Sequence, residues 1–190
     1  MNAIGHITRW RRAGLFTAAV VTALTCAFGL PGQAPKPKEY QVKAAFLLNF
    51  GRFIEWPASS KKANAKFPIC VLGEDPFGGA LDEAAADELI DGSPIVVKRI
   101  PGLQHASHCR VLYVGSSEES RWEAILAEIK RLSVLTVSDM PRFVARGGMI
   151  QFVMDDNRVR FEVNLDAAGR AGLQVSSQLL KLAVTVKRSP

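Results

Sequence analysis

The tract RFEVNLDAAGRAGLQVSSQLLKLA, residues 160–183, gathers polar side chains that could form an active site. Amide, carboxylate and hydroxyl groups stand between apolar residues there, at Asn164, Asp166, Ser176 and Ser177. The carboxylate and the hydroxyl groups also fit structural roles. We predict that Asp166 caps a short helix that Gly172 ends, and that one of the two serines caps a final helix.

The final helix is predicted to pack on the core through its leucines and their apolar neighbours. These residues are Leu179, Leu180, Leu182, Ala183 and Val186. Capping and packing therefore account for the tract without catalysis, and they leave only Asn164 without a role.

Histidine, the most frequent general base of enzymes, occurs only twice after residue 34, at His105 and His108. Both belong to an H-x-x-H-C sequence that could hold a metal ion. Because a cysteine in a disulfide offers no thiolate, and two imidazoles make an incomplete site, we interpret the segment as a polar loop. A serine–histidine or cysteine–histidine pair has equally little to build on.

Two further patterns fit turns and helix ends better than chemistry. The adjacent acids Glu118-Glu119 and Asp155-Asp156 are suited to opening a helix and forming a turn. Gly73 and Gly78 have the spacing of a phosphate loop, but Gly79-Ala80 follows where Lys and Ser or Thr are needed. The sequence therefore predicts no enzyme activity and no cofactor.

The first 34 residues have the order of a secretory signal peptide. Three arginines up to Arg12 precede the uncharged apolar stretch at residues 13–30, and a small-residue cleavage site follows at residues 32–34. An uncleaved anchor is the alternative, because about 18 apolar residues almost span a bilayer. We expect cleavage and export, a short tether over residues 35–38, and a single domain over residues 39–190.

Removal of the signal peptide changes both the charge and the cysteine count. The full chain has a net charge of +6, whereas the remainder holds 21 basic and 18 acidic residues, a net charge of +3. No basic run remains that would indicate binding to nucleic acid. Of the three cysteines, Cys70 and Cys109 remain. An even number in an oxidising compartment predicts a disulfide, with two buried free thiols as the alternative.

Apolar runs alternate with helical patterns along the rest of the chain. Helices are predicted from Glu39 to Pro57, through an Ala-rich segment up to about Gly92, and from Ser116 to Leu132. Strands are predicted at residues 67–73, 94–100, 109–115 and 134–139, with a hairpin over residues 149–165. This order predicts the α/β class: a three-layer sandwich with a mostly parallel sheet, helices on both faces and an antiparallel C-terminal hairpin.

Several tracts resemble one protein family. EYQVKAAFLLNFGRFIEWP is similar to the opening of the YfiR-like family of periplasmic proteins, and ICVLGEDPFG, CRVLYV, VLTVSD and the tract from GGMIQFVMDD to SSQLLKLA follow in that family's order. The resemblance extends from Glu39 to Ala183. It implies a periplasmic, non-catalytic protein with a disulfide that matches Cys70 and Cys109. A second cysteine pair known in the family has no counterpart, since no cysteine follows Cys109.

The resemblance also implies partners. The chain is similar to proteins that repress a membrane-anchored diguanylate cyclase (YfiN-like) by binding the periplasmic sensor region of the cyclase. An OmpA-like outer-membrane lipoprotein (YfiB-like) relieves the repression by sequestering the repressor. The implied outcome is control of cyclic di-GMP and, through it, of biofilm and motility. The oligomeric state stays open between a monomer and a homodimer.

Partner contacts are expected on two surfaces by the same resemblance. The first comprises the hairpin and the last helix, at Arg160, Glu162, Asn164, Ser176 and Ser177. The second is the aromatic end of the first helix, at Arg52, Phe53, Glu55 and Trp56. Exposed Trp and Arg often anchor interfaces, but a Trp56 buried under the sheet is an equal alternative.

Two other function classes stay open. A periplasmic small-molecule-binding module would use a crevice at the carboxyl ends of the strands, near Gly73–Phe77 and Gly115–Ser117. A hydrolase is the least favoured class, because the chain lacks a clear pair of nucleophile and base. Binding to a membrane cyclase would favour the regulator, and stabilisation by small ligands alone would favour the binding module.

Overall fold

The computed structural model describes residues 37–58 and 66–188. The predicted signal peptide at residues 1–34 and the first residues of the predicted tether lie outside these ranges. Within the described ranges, no helix has the length and apolar character needed to cross a membrane.

The described residues form short helices and strands in alternation. The helices are α1 (Pro37–Arg52), α2 (Ala80–Ala85), α3 (Trp122–Ile129), α4 (Leu165–Arg170) and α5 (Ser177–Leu180), with 3₁₀ helices at Leu103–His108 and Ser116–Arg121. The strands are β1 (Ile54–Glu55), β2 (Phe67–Leu72), β3 (Leu89–Ile90), β4 (Ser93–Ile100), β5 (Val111–Val114), β6 (Leu135–Ser138), β7 (Ile150–Asp155), β8 (Arg158–Asn164), β9 (Gln174–Val175) and β10 (Thr185–Lys187).

Eight of these strands form one sheet in the order β10-β8-β7-β6-β5-β2-β4-β3. Strands β4, β2, β5, β6 and β7 are parallel to one another, whereas β8 returns antiparallel to β7. The turn between β7 and β8 places Asp156 and Asn157 at φ values of 46° and 59°, as a two-residue hairpin turn requires. The predicted mostly parallel sheet and the C-terminal hairpin are therefore confirmed.

Helices cover both faces of the sheet because successive side chains of each strand point in opposite directions. In β2, Ile69 and Val71 belong to the apolar cluster that includes α1 and α2, whereas Leu72 belongs to the cluster of α3. Phe50 of α1 and Trp122 of α3 are fully buried in these two clusters. The three-layer α/β sandwich predicted from the sequence is thus confirmed.

A disulfide joins two neighbouring strands inside the second cluster. Cys70 of β2 is bonded to Cys109, two residues before β5, with the Cα atoms 5.9 Å apart. Both residues are buried. The bond joins the pair that the cysteine count predicts.

Two predicted helix ends are wrong, because strand pairing overrides the local pattern. Helix α1 ends at Arg52 rather than near Pro57, since Ile54 and Glu55 pair as β1 with Val175 and Gln174 of β9. The Ala-rich helix ends at Ala85, and β3 occupies the last residues that the pattern assigns to it.

The other two helices also differ from their predicted extent. Ser116 opens a 3₁₀ turn, and α3 itself begins at Trp122. Helix α5 has only four residues, after which the chain forms the edge strand β10, parallel to β8. Leu182 is consequently 55% exposed and Val186 39% exposed, so the prediction that both face the core is wrong.

Candidate functional site

The strand order creates a crevice at one edge of the sheet. In chain order, the five parallel strands lie as 2-1-3-4-5 across the sheet. The connection after β2 therefore runs to one side and the connection after β5 to the other, and the gap between them is the usual ligand site of such sheets. Residues 73–79 and 115–117 form the walls of this gap.

The two walls of the crevice contact each other. The Glu74 N–H donates a hydrogen bond of 2.9 Å to Ser117 Oγ. At Gly115, an added Cβ would lie 2.6 Å from the Glu74 carbonyl oxygen, so this approach requires a glycine. The loops after β2 and β5 therefore hold each other in place.

A pocket of about 500 Å³, which we call the switch-point pocket, lies in this crevice. Its lining residues are Tyr40, Gln41, Glu74, Pro76, Phe77, Gly78, Ala80 and Ser116. The rings of Tyr40 and Phe77 meet edge to face with their centroids 5.5 Å apart. Phe77 also packs against the ring of Tyr113 in β5, at 4.7 Å, which fastens the loop after β2 to the sheet.

Arg99 at the end of β4 fixes the same loop from its other side. Its guanidinium donates to Asp75 over 2.8 Å, to both carboxylate oxygens of Asp82 over 2.8 and 2.6 Å, and to the Gly78 carbonyl over 3.0 Å. Asp75 in turn accepts a hydrogen bond from the Phe77 N–H. The bond from Arg99 lowers the pKa of Asp82 below its ordinary value. These contacts preorganise the wall of the switch-point pocket.

A second pocket of about 490 Å³ adjoins the first, since Tyr40 lines both. Its other lining residues are Glu39, Lys43, Asp139, Gln151, Phe152, Val153 and Met154. The Lys43 ammonium lies 2.7 Å from the carboxylates of both Glu39 and Asp139, although its side chain is only 4% exposed. The Tyr40 hydroxyl donates to Asp139 over 2.8 Å. A buried ion pair therefore ties α1 to the residue after β6.

The protonation states of this cluster are fixed by burial and by the ion pair. Burial raises the pKa of Asp139, but the bonds from Lys43 and the tyrosine hydroxyl lower it more, so the net shift is downward. Burial and the nearby Asp139 carboxylate raise the pKa of Tyr40 and Tyr113. At neutral pH, Asp139 is charged and both tyrosines are neutral. The cluster is thus a structural ion pair rather than a site of proton transfer.

Asn164 has a structural role that the sequence analysis assigns to Asp166. Its Oδ1 accepts a hydrogen bond from the Ala167 N–H over 3.0 Å and so caps α4. Its Nδ2 donates to the Val144 carbonyl over 3.1 Å, and the residue is 2% exposed. The prediction that Asp166 is the cap is therefore wrong, and Asn164 itself lies beneath the surface proposed for partner contacts.

The structure brings parts of the two expected partner surfaces together. The Ser176 N–H donates to the Phe53 carbonyl over 3.0 Å, next to the paired strands β1 and β9. Arg52, Glu55 and Ser177 are exposed around this pairing, whereas Trp56 is 7% exposed and packs edge-on against Phe67. We call Arg52, Glu55 and Ser177 the β1–β9 surface.

The serine cap of the last helix is resolved in favour of Ser176, whose Oγ accepts from the Leu179 N–H over 3.2 Å. Arg160 and Glu162 lie half-buried in β8, opposite Val153 and Gln151 of β7. That Arg160 and Glu162 contact a partner stays a prediction.

The remaining candidates for chemistry have structural positions. His105 and His108 lie in the 3₁₀ helix that leads to Cys109. In residues 37–58 and 66–188, no group of three or more His, Cys, Asp or Glu side chains is arranged to hold a metal ion. Glu118 forms an ion pair with Arg121, and Glu119 forms one with Arg146. These acids therefore stabilise the 3₁₀ helix Ser116–Arg121 that precedes α3.

Sequence reasoning missed the cluster of Tyr40, Lys43 and Asp139. Two signals pointed to it: Lys43 stands among apolar residues in the predicted first helix, and Asp139 is the last residue of a predicted buried strand. A charged residue at the carboxyl end of a buried parallel strand commonly belongs to the crevice there. Neither signal, however, identifies the other residue as its partner.

Comparisons with known proteins find one matching family and similar solved structures of low sequence identity. A protein-family model described as YfiR/HmsC-like matches residues 40–184. A conserved domain protein from Vibrio cholerae is similar with a TM-score of 0.49 and 14% identity, over 63% of this chain and 54% of that chain. An ABC domain from Streptococcus pneumonia, in complex with L-Trp, has a TM-score of 0.50 and 12% identity, over 76% of this chain and 60% of that chain. This chain spans less than two thirds of both proteins, and the second likeness concerns the fold alone.

Proposed function

This chain belongs to the YfiR/HmsC-like family of periplasmic regulators, and we propose that it represses an inner-membrane diguanylate cyclase (YfiN-like). In this proposal, the protein binds the periplasmic sensor region of the cyclase, favours its inactive state and thereby lowers cyclic di-GMP. The observation that carries the proposal is the family match over residues 40–184.

The β1–β9 surface supports such an interaction. Glu55 is exposed on β1, whose backbone pairs with β9, and Arg52 is exposed at the end of α1, two residues before β1. Neither side chain therefore requires a loop to become ordered on binding. Arg52 is held by ion pairing with Glu88 and by a bond of 3.2 Å to Asn49. Arg160 and Glu162 of β8 form the second proposed contact region.

Trp56 and Asn164 would contribute to such contacts only through the backbone that they hold. Trp56 packs edge-on against Phe67, and the Arg110 guanidinium carbon lies over the Trp56 ring, 5.9 Å from its centroid. Asn164 fixes the step from β8 to α4. Substitution of either residue is therefore expected to act on folding before it acts on binding.

Repression of this kind follows from preferential binding to one state of the cyclase. A protein that binds the inactive state more tightly shifts the cyclase toward it, by an amount set by the difference in the two affinities. An OmpA-like outer-membrane lipoprotein (YfiB-like) that sequesters the repressor would release the active state. Dimerisation of the repressor is compatible with the same scheme.

Deletion of the gene, with measurement of cyclic di-GMP, tests the proposal directly. Cyclic di-GMP is expected to rise and to return to its original concentration on complementation. The tagged protein is expected to co-purify with a membrane protein that contains a diguanylate cyclase domain. An unchanged cyclic di-GMP concentration across growth conditions would contradict the proposal.

A second candidate function is that of a periplasmic small-molecule-binding module. The observation that favours it is the switch-point pocket, whose walls are residues 73–79 and 115–117 and whose volume is in the range of ligand sites. Stabilisation of the protein by small ligands, in the absence of a protein partner, would support this candidate.

A further inference from the structure

We propose that the switch-point pocket binds a small organic ammonium compound with an apolar or aromatic body and no carboxylate. The inference rests on the second candidate function, that of a small-molecule-binding module. Three independent features of the pocket support this ligand class: the sign of its charge, the rings at its floor and the fixed position of its walls.

The surroundings of the pocket are negatively charged, although the chain as a whole is basic. The side chains that line the two adjoining pockets, together with Arg99 and the two carboxylates bonded to it, contain five carboxylates and two cations, Lys43 and Arg99, which leaves three negative charges. A concave site of this sign attracts cations and repels carboxylate or phosphate groups. An ammonium compound therefore fits the pocket better than an amino acid or a nucleotide.

Glu74 is the carboxylate that can meet such a ligand. Lys43 neutralises part of the charge of Glu39 and Asp139, and Arg99 does the same for Asp75 and Asp82. Glu74, in contrast, lines the pocket, is exposed, and forms no ion pair with any residue in the described part of the chain. Its backbone is fixed by the hydrogen bond from the Glu74 N–H to Ser117, so the side chain extends from a fixed point in the pocket wall.

The floor of the pocket is aromatic. Tyr40 and Phe77 line it, and Phe77 is held from behind by the fully buried Tyr113. The Lys43 ammonium already lies over the Tyr40 ring, 4.4 Å from its centroid, so the role of these rings is to pack against the apolar body of the ligand, while its ammonium group meets Glu74.

The walls of the pocket are already in place before a ligand arrives. Arg99 bonds Asp75, Asp82 and the Gly78 carbonyl, and the loop after β2 is bonded to the loop after β5. A preformed site does not have to order its loops on binding, which favours affinity for a small ligand.

Isothermal titration calorimetry of the purified protein with phenethylammonium and, separately, with 3-phenylpropionate tests the inference. The two probes are similar in size and in their phenyl ring but opposite in charge. We expect phenethylammonium to bind and 3-phenylpropionate not to bind. Glu74→Gln is expected to weaken phenethylammonium binding by about threefold to fivefold, as loss of a partly exposed ion pair does. Glu128→Gln, an equal change of charge at an exposed position of α3, is the matched control and should leave binding unchanged.

Ala80→Phe provides a second variant, because Ala80 lines the pocket and a larger side chain there would fill it. It is expected to abolish binding while the thermal unfolding curve stays cooperative. Binding of 3-phenylpropionate without phenethylammonium would overturn the ligand class but retain the binding module. Binding of neither probe would overturn the inference. The second candidate function would then be decided separately, by whether small ligands of other classes raise the unfolding temperature, and the proposed repression of a cyclase would be untouched. Binding of phenethylammonium that neither Glu74→Gln nor Ala80→Phe weakens would place the ligand elsewhere and overturn the site.

Discussion

The Lys43 ammonium lies 2.7 Å from the Asp139 carboxylate, although 96 residues separate the two in the chain. The pair joins the first half of α1 to the carboxyl end of β6, where the two pockets meet. Its side chains are 4% and 14% exposed. A buried charge that loses its partner costs much more than an exposed one, so this contact holds α1 over the edge of the sheet.

Lys43→Met is therefore expected to lower the free energy of unfolding by about 3–5 kcal/mol, because it leaves Asp139 buried without its cation. Urea denaturation monitored by circular dichroism measures the change. Arg52→Met is the matched control: its ion pair with Glu88 is largely exposed, so the expected loss is at most about 1 kcal/mol. Equal losses in the two variants would contradict the structural role of Lys43.

The two tyrosines of the chain, Tyr40 and Tyr113, report on the same region at alkaline pH. In the folded protein, burial and the Asp139 carboxylate raise the pKa of both tyrosines. In an unfolded chain, a tyrosine ionises at about pH 10. The folded protein thus retains these protons more tightly, so the stability they confer is complete below that pH and is lost as the pH rises above it.

Ultraviolet absorbance of tyrosinate should consequently stay flat in the folded protein through pH about 10 and rise only when the protein unfolds. The same protein in concentrated urea is the control and should titrate normally. Ionisation of either tyrosine near pH 10, with the fold intact by circular dichroism, would show that the cluster is more open than described.

Asn164→Ala should destabilise the protein by about 2–3 kcal/mol, because it removes the cap of α4 and leaves the Val144 carbonyl without its donor. Ser176→Ala, which removes the cap of the short α5, should cost about 1 kcal/mol. Ser177→Ala, next to it and exposed, should change the free energy of unfolding by less than about 0.5 kcal/mol. Thermal unfolding orders the three variants, and any other order would contradict these roles.

Replacement of both bonded cysteines, Cys70→Ala with Cys109→Ala, should lower the free energy of unfolding by about 3–4 kcal/mol in the chain-entropy account. The bond closes a segment with a sequence separation of 39 and joins β2 to the residues before β5. Denaturation with and without a reducing agent measures the effect. The reducing agent should destabilise the unchanged protein and leave the double variant unaffected, and the absence of this difference would contradict a stabilising bond.

Much of the fold could be predicted because local sequence decides it. Strands β2 and β5 are apolar on both faces, as central parallel strands are, and Asp156-Asn157 fits a two-residue hairpin turn. The end of α1 could not be predicted, because Ile54 and Glu55 continue a helical pattern. They leave it only to pair with β9, which lies about 120 residues later in the chain.

The candidate site shows the same division. Alternation of helices and strands predicts a parallel sheet, and with it a crevice at the carboxyl ends of the strands, at residues 73–77 and 115–117. The strand order that opens this crevice between β2 and β5 is known only from the folded chain. The cap of α4 does not: Asn164 and Asp166 are both good capping residues, and the Val144 carbonyl, a tertiary neighbour, decides in favour of Asn164. The pairing of Lys43 with Asp139 is likewise a contact between segments that only the folded chain brings together.

Reversal of the charges on the β1–β9 surface should disable repression without loss of the fold. Arg52→Glu with Glu55→Lys places opposite charges at exposed positions, and we expect affinity for the cyclase to fall by at least about tenfold. Cells that carry this variant should contain as much cyclic di-GMP as the deletion strain. The matched control, Glu128→Lys with Arg131→Glu, reverses two exposed charges at α3 and beyond it, on the other face of the sheet, and should repress normally. A β1–β9 variant with an unchanged unfolding temperature that still represses would show that the contact surface lies elsewhere. The half-buried pair Arg160 and Glu162 would then be the next residues to substitute.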